Sequence, residues 1–177
     1  MTWINRLRYG ALFVFLAMLN ACNSTSKEPV AFNFPDSEYG FPVLESFDDF
    51  QKVLKPGDDR LYVINFWATW CKPCIEELPY FEQVNAEYPN TEVEVILVSL
   101  DAGKQIAKRL VPFLEKHELN SDVLVLDDPD FNTWIDKVSS DWSGAIPATI
   151  FVKGDKQQFF EQSFDLEELK TKVESLL

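Results

Sequence analysis

The chain predicts an α/β fold in which a mixed central sheet is covered by helices on both faces. Three observations carry this. Leu61–Trp67 (LYVINFW) and Val93–Leu100 (VEVILVSL) are runs of β-branched and aromatic residues separated by a segment long enough for a crossover helix, which marks a βαβ unit. The alternation then repeats, with helical spacing over Lys104–Leu119, a short apolar strand at Val123–Leu126 and a short helix at Phe131–Val138. Last, Ala148–Val152 (ATIFV) and Gln157–Gln162 flank a turn at Gly154-Asp155, as the two arms of a hairpin do.

From the N-terminus, Arg6 and Arg8 precede the apolar run Tyr9–Leu19 and the small residue Ala21, the arrangement of a targeting segment. A run of about eleven apolar residues falls short of the roughly 20 that span a bilayer as a helix. Leu19-Asn20-Ala21-Cys22 resembles the lipobox of bacterial lipoproteins. That resemblance implies a signal peptide over residues 1–21, cleavage before Cys22 and lipidation of Cys22. Asn23–Pro29 is polar and without periodicity, so residues 22–33 read as a tether and residues 34–177 as one domain.

Within the domain, Phe47, Phe50, Val53 and Leu54 give Ser46–Lys55 a helical face, with Ser46 and Asp49 spaced as a capping box and Pro56-Gly57 ending the element. The final helix starts at Asp165, with Glu168 at its third position as a second capping box.

Charge and cysteine content narrow the function classes. Twenty-nine acids against 16 bases give a net charge of −13, which disfavours nucleic acid and anionic lipid surfaces as partners. The three cysteines, at 22, 71 and 74, are too few for a disulfide-built scaffold. With Cys22 lipidated, the folded domain keeps two thiols, which must react with each other or with a partner.

The chemistry lies in Trp70-Cys71-Lys72-Pro73-Cys74. A strand ending at Trp67, a turn through Ala68-Thr69-Trp70 and a helix beginning at Cys71 place the first sulfur at a helix N-terminus. Unpaired backbone N–H groups and the helix dipole stabilise a thiolate there. Activated cysteines of this kind titrate between roughly 3.5 and 7.5 instead of about 8.5. Cys71 is therefore the expected nucleophile, and Cys74, three residues on and on the same helical face, the resolving thiol. A zinc site would need two more ligands, and the chain offers one histidine, His117, well away in sequence and read as a surface or packing residue. No metal or cofactor is called for.

Asn65-Phe66-Trp67-Ala68-Thr69-Trp70-Cys71-Lys72-Pro73-Cys74, followed by Glu77-Leu78-Pro79, closely resembles the active-site region of TlpA/ResA-like thioredoxin-fold proteins. The resemblance implies a thioredoxin-like fold with an inserted βα element before the strand that follows a cis-proline. Pro79 matches the helix-kinking proline of thioredoxins, and Ile146-Pro147-Ala148-Thr149 matches the cis-proline segment, whose backbone at Ile146 would pair with an extended substrate. Asn65 stands where thioredoxin carries a buried aspartate, so another group must handle the proton. Glu77 matches the active-site carboxylate of the TlpA/ResA-like group and falls on the cysteine face of the helix. Trp67 and Trp70 are candidates for shaping the site surface, with Trp70 beside the substrate.

What the resemblance implies is a thiol-disulfide oxidoreductase in the cell envelope, its domain facing the periplasm or extracytoplasmic space and its lipid on Cys22 in the membrane. It would take electrons from a membrane-bound thiol donor and reduce protein disulfides, including cysteines of apocytochrome c. Two other functions would need residues that the sequence lacks. A peroxiredoxin-type thiol peroxidase would require Pro at Ile64 and Thr or Ser at Ala68. A copper or haem module would require a His after Cys74, where Ile75 stands, or a nearby His and Met set.

Overall fold

The structure, a computed structural model, describes Phe32 and residues 34–177. The expected signal peptide, most of the tether and Cys22 lie outside the described residues. Among the described residues no helix is long and apolar enough to cross a membrane.

The elements are β1 (Val43–Leu44), α1 (Phe47–Phe50), β2 (Leu61–Trp67), α2 (Lys72–Glu87), β3 (Val93–Ser99), a π-helical turn (Ile106–Leu110) continuing into α3 (Val111–His117), β4 (Asp122–Leu126), α4 (Phe131–Val138), β5 (Ala148–Lys153), β6 (Lys156–Phe160) and α5 (Leu166–Leu176). They form one six-stranded sheet in the order β1-β4-β3-β2-β5-β6. The β1, β4, β3 and β2 strands run parallel, and β5 and β6 are antiparallel to their neighbours. The fold is thioredoxin-like, with β4 and α4 as the inserted pair before β5.

Every residue of β2 and β3 is buried, as strands covered on both faces must be. Side chains alternate across the sheet. Tyr62, Ile64 and Phe66 join Phe50, Trp134 and Trp142 on one face, while Leu61, Val63 and Trp67 join Phe81 of α2 and Leu169 of α5 on the other. The same alternation puts Asn65, the one polar residue of β2, on the side of α2.

Two helices differ from expectation. In the first, the apolar spacing holds, but only Phe47–Phe50 is α-helical. Val53, Leu54 and Lys55 donate to carbonyls three residues back rather than four, because Pro56 disfavours α geometry at the residue before it. The Ser46 hydroxyl accepts from Asp48 N–H at 3.2 Å, and Phe47 N–H goes to Asp128 at 2.9 Å, so the Ser46–Asp49 box does not close. In the second, Pro112 lacks the N–H an α-helix needs, and the preceding turn widens so that Val111 N–H reaches Ile106.

The Asp165–Glu168 capping box is complete: Glu168 N–H donates to Asp165 at 2.8 Å and Asp165 N–H to Glu168 at 3.2 Å. It fixes the start of α5, and with it the adjoining residue Phe164. Replacing the cap, Asp165→Ala, is expected to lower unfolding free energy by about 1 kcal/mol. Urea titration of the oxidised protein measures this; an unchanged midpoint would show that packing alone sets where α5 begins.

Candidate active site

At the C-terminal end of β2 the chain leaves the sheet through a turn in which Cys71 N–H donates to the Ala68 carbonyl at 3.0 Å. Helix α2 begins at Lys72, with Cys71 as its N-cap in extended conformation. The Cys71 sulfur accepts the Cys74 N–H at 3.3 Å, taking the place of the oxygen in an ordinary cap. Pro73 falls in the first turn, where no N–H is needed. A disulfide joins Cys71 to Cys74 across a Cα separation of 5.3 Å. The two sulfurs are not equivalent: Cys71 is 6 % exposed and Cys74 is 0 % exposed. A reagent arriving from solvent meets Cys71 first.

The Ile146–Pro147 peptide bond is cis. It brings the Ile146 carbonyl oxygen to 3.6 Å from the Cys71 sulfur, across 75 residues of sequence. The preceding loop is held at both ends. Buried Trp142 donates its indole N–H to the Ala145 carbonyl at 2.8 Å. Ser143 N–H donates to Glu161 at 2.6 Å and the Ser143 hydroxyl to its other oxygen, which holds the Glu161 carboxyl below the usual carboxylate range.

Glu77, three residues after Cys74 in α2, is 1 % exposed. Its Oε1 accepts from Asn65 Nδ2 at 2.9 Å and its Oε2 from Phe164 N–H at 2.8 Å. Asn65 Nδ2 also reaches Thr149 Oγ1 at 3.1 Å, on the strand paired with β2. Burial pushes the Glu77 carboxyl from 4.5 up to about 7, against the pull of the Phe164 and Asn65 donors. The expected proton-handling residue and the expected substitute for aspartate are thus hydrogen-bonded to each other.

The two tryptophans separate. Trp67 is fully buried against Phe113, their ring centroids 5.3 Å apart, and belongs to the core. Trp70, next to Cys71, is 55 % exposed. His117 is exposed at the end of α3 and stacks on Phe113.

Asp101 is a residue that the sequence reasoning missed. It lies two residues past the end of β3, is fully buried, and accepts from Thr69 N–H at 2.8 Å, Thr69 Oγ1 at 2.7 Å and Ser99 Oγ at 2.9 Å. The signal for it was positional: Ser99 and Asp101 lie at the end of a parallel strand beside the one that leads into Cys71, at the strand ends where α/β sheets place their sites.

A dithiol at a helix N-terminus facing a cis-proline on this sheet defines a protein of the thioredoxin-like class. The chain belongs to the AhpC/TSA family, whose model matches residues 46–157. Thiol-disulfide oxidoreductase ResA of Oceanobacillus iheyensis is 28 % identical over 130 residues, covering 72 % of this chain and 63 % of that protein. Thioredoxin of Malassezia sympodialis is 38 % identical over 68 residues, covering 38 % of this chain and 63 % of that one. The chain thus spans less than two thirds of the length of these curated relatives. Among solved structures, Mycobacterium tuberculosis dsbF, in mixed oxidised and reduced forms, superposes with a TM-score of 0.54 at 25 % identity, covering 71 % of this chain and 85 % of that one. A secreted Mycobacterium tuberculosis disulfide oxidoreductase homologous to E. coli DsbE gives a TM-score of 0.51 at 25 % identity, covering 67 % and 83 %. These similarities are of the TlpA/ResA-like kind that the active-site segment indicated.

Glu77 makes stability depend on pH with a fixed sign. The folded chain holds the proton to about pH 7 and an ordinary glutamate releases it near 4.5, so stability is full below about 4.5 and falls as pH rises toward 7. At 1.36 kcal/mol per unit the fall is on the order of 3 kcal/mol. Glu94, also raised to about 7 by burial, titrates in the same window, so the informative quantity is the difference between wild type and Glu77→Gln, in which Glu94 cancels. Chemical denaturation of both oxidised proteins across that window should show the difference declining with pH. A flat difference would mean that Glu77 ionises in the fold without penalty.

Proposed function

We propose that the protein is an extracytoplasmic thiol-disulfide oxidoreductase that reduces protein disulfides through Cys71 and Cys74. The observation carrying this is the inequality of the two sulfurs: Cys71 caps a helix at the surface and Cys74 is closed off behind it. In the reduced protein the Cys71 thiolate attacks one sulfur of a partner disulfide, a mixed disulfide forms, and the other partner sulfur leaves as thiolate. Cys74 then loses its proton and attacks the Cys71 sulfur. The partner's second thiolate leaves, and the Cys71–Cys74 disulfide remains. Two electrons have passed to the partner. A membrane-bound thiol donor returns them by the same exchange in reverse.

Glu77 takes the Cys74 proton in this scheme, and a carboxyl near 7 is matched to that task at neutral pH. Ile146 and Pro147 form the wall on which an extended substrate segment pairs its backbone, and Trp70 offers it an exposed ring. The names of the relatives, ResA and a secreted DsbE homologue, support both the chemistry and the extracytoplasmic setting. Lipidation at Cys22 supplies the anchor, and apocytochrome c cysteines are the substrate class that the TlpA/ResA-like resemblance favours. A peroxidase reading finds no support, since Ile64 and Ala68 are buried apolar residues where its pattern needs Pro and Thr or Ser.

Cys74→Ala is expected to accumulate mixed disulfides at Cys71 with envelope proteins, visible on non-reducing gels and released by reductant, whereas Cys71→Ala accumulates none. Equal trapping by both variants would sink the assignment of attacker and resolver. The direction of electron flow is tested by equilibrating the dithiol with glutathione. A reductant should fall near or below thioredoxin's roughly −270 mV, and a value near −120 mV would make the protein an oxidant instead.

A further inference from the structure

We propose that Asp101 is a positioning residue for Cys71, acting through Thr69: this buried carboxyl group fixes the turn that runs from the end of β2 to the helix N-terminus. The inference rests on the reading of Cys71 as the attacking sulfur.

Three residues connect the end of β2 to Cys71, and their side chains offer little to hold the connection rigid. Ala68 is small, Trp70 is 55 % exposed, and Lys72 just beyond is exposed as well. Thr69 is the exception. Its N–H and hydroxyl bind the two oxygens of Asp101 separately, at 2.8 and 2.7 Å, which fixes both the backbone and the side chain of the turn. Asp101 is itself immobile. Ser99 Oγ donates to it at 2.9 Å, Asp101 N–H returns to Ser99 Oγ at 3.1 Å, and Leu100 N–H ties the same segment to the Trp67 carbonyl at 2.8 Å.

The arrangement has one stable setting. A carboxylate with no solvent exposure must have its oxygens satisfied, and two of the three donors on Asp101 come from Thr69. If the turn slides, those donors are lost with no water to replace them. The turn therefore stays where the Cys71 N–H meets Ala68 and the Cys71 sulfur meets the Cys74 N–H. The Cys74 amide and the helix N-terminus stabilise the thiolate, so the hold on Thr69 reaches the sulfur's reactivity without Asp101 touching it.

Thr69→Val tests this because it removes the hydroxyl donor, keeps the β-branched shape, and leaves the Asp101 side chain in place. Thr69→Ser restores the hydroxyl. In the reduced full chain, the rate of Cys71 alkylation by iodoacetamide is followed across about pH 4 to 9. The titration midpoint is expected to rise by about half a unit to one unit in Thr69→Val and to return to the wild-type value in Thr69→Ser. Should the valine variant not fold, Thr69→Ala carries the same expectation. Loss of stability alone does not distinguish the readings, since any broken buried bond lowers it; the titration does. A midpoint unmoved in a folded hydroxyl-less variant, or moved equally by valine and serine, overturns the proposal. A wild-type midpoint near an ordinary thiol's, with no exchange against disulfides, would instead overturn the reading of Cys71 on which the proposal stands.

Discussion

The site depends on one contact, the Cys74 N–H directed at the Cys71 sulfur. A helix has unpaired N–H groups at its start, and an N-cap side chain normally answers one of them with oxygen. Here sulfur answers, so the helix and the Cys71 side chain stabilise each other. For this the helix must begin at a set place, and β2 determines where. Buried on both faces, the strand cannot slide without moving seven buried side chains to the wrong environment. The turn, the helix start and the cis-proline loop are all referred to that fixed strand end.

Much of this was legible in the sequence where the determinants are local. The β2 and β3 strands could be read because β-branched and aromatic runs of that length serve few other purposes, and α5 because Asp165 and Glu168 carry their own cap. Contacts between distant residues were not legible. The start of the first helix is held partly by Asp128, which takes the Phe47 N–H across 81 residues. The third is broken by Pro112, a local signal that the apolar spacing of Lys104–Leu119 concealed. Asp101 is the clearest case. Nothing near it in sequence says that its carboxylate will meet Thr69, because that meeting depends on β3 lying beside β2 in register, with Ser99 opposite Trp67.

The two buried carboxyls at the site lie in different surroundings. Glu77 has two donors, the Asn65 amide and the Phe164 N–H, both neutral, and burial outweighs them. Asp101 has three, two from Thr69 in the turn before Cys71. In the proposed reaction one carboxyl exchanges a proton and the other holds a geometry. A proton acceptor gains from being poorly satisfied, since its two forms then lie close in energy near neutral pH. A clamp gains from being well satisfied, since its value lies in having no alternative arrangement.

That division bears on how the second half of the exchange can proceed. The Cys74 sulfur has no solvent exposure, so bulk water cannot take its proton while the mixed disulfide covers Cys71. The proposed reaction therefore calls for an internal acceptor, neither so acidic that it refuses the proton nor so basic that it already holds one at neutral pH. An exposed glutamate near 4.5 would fail on the first count. Glu77 escapes because burial destabilises its charge while the Asn65 and Phe164 donors prevent the shift from going further. In the proposed reaction Asn65 serves Glu77 as a neutral donor: an aspartate at that position would set a second carboxyl against Glu77, and the repulsion would drive the pair's proton affinities apart. Amide and carboxyl together keep one titrating group, near neutrality, on the buried side of the dithiol.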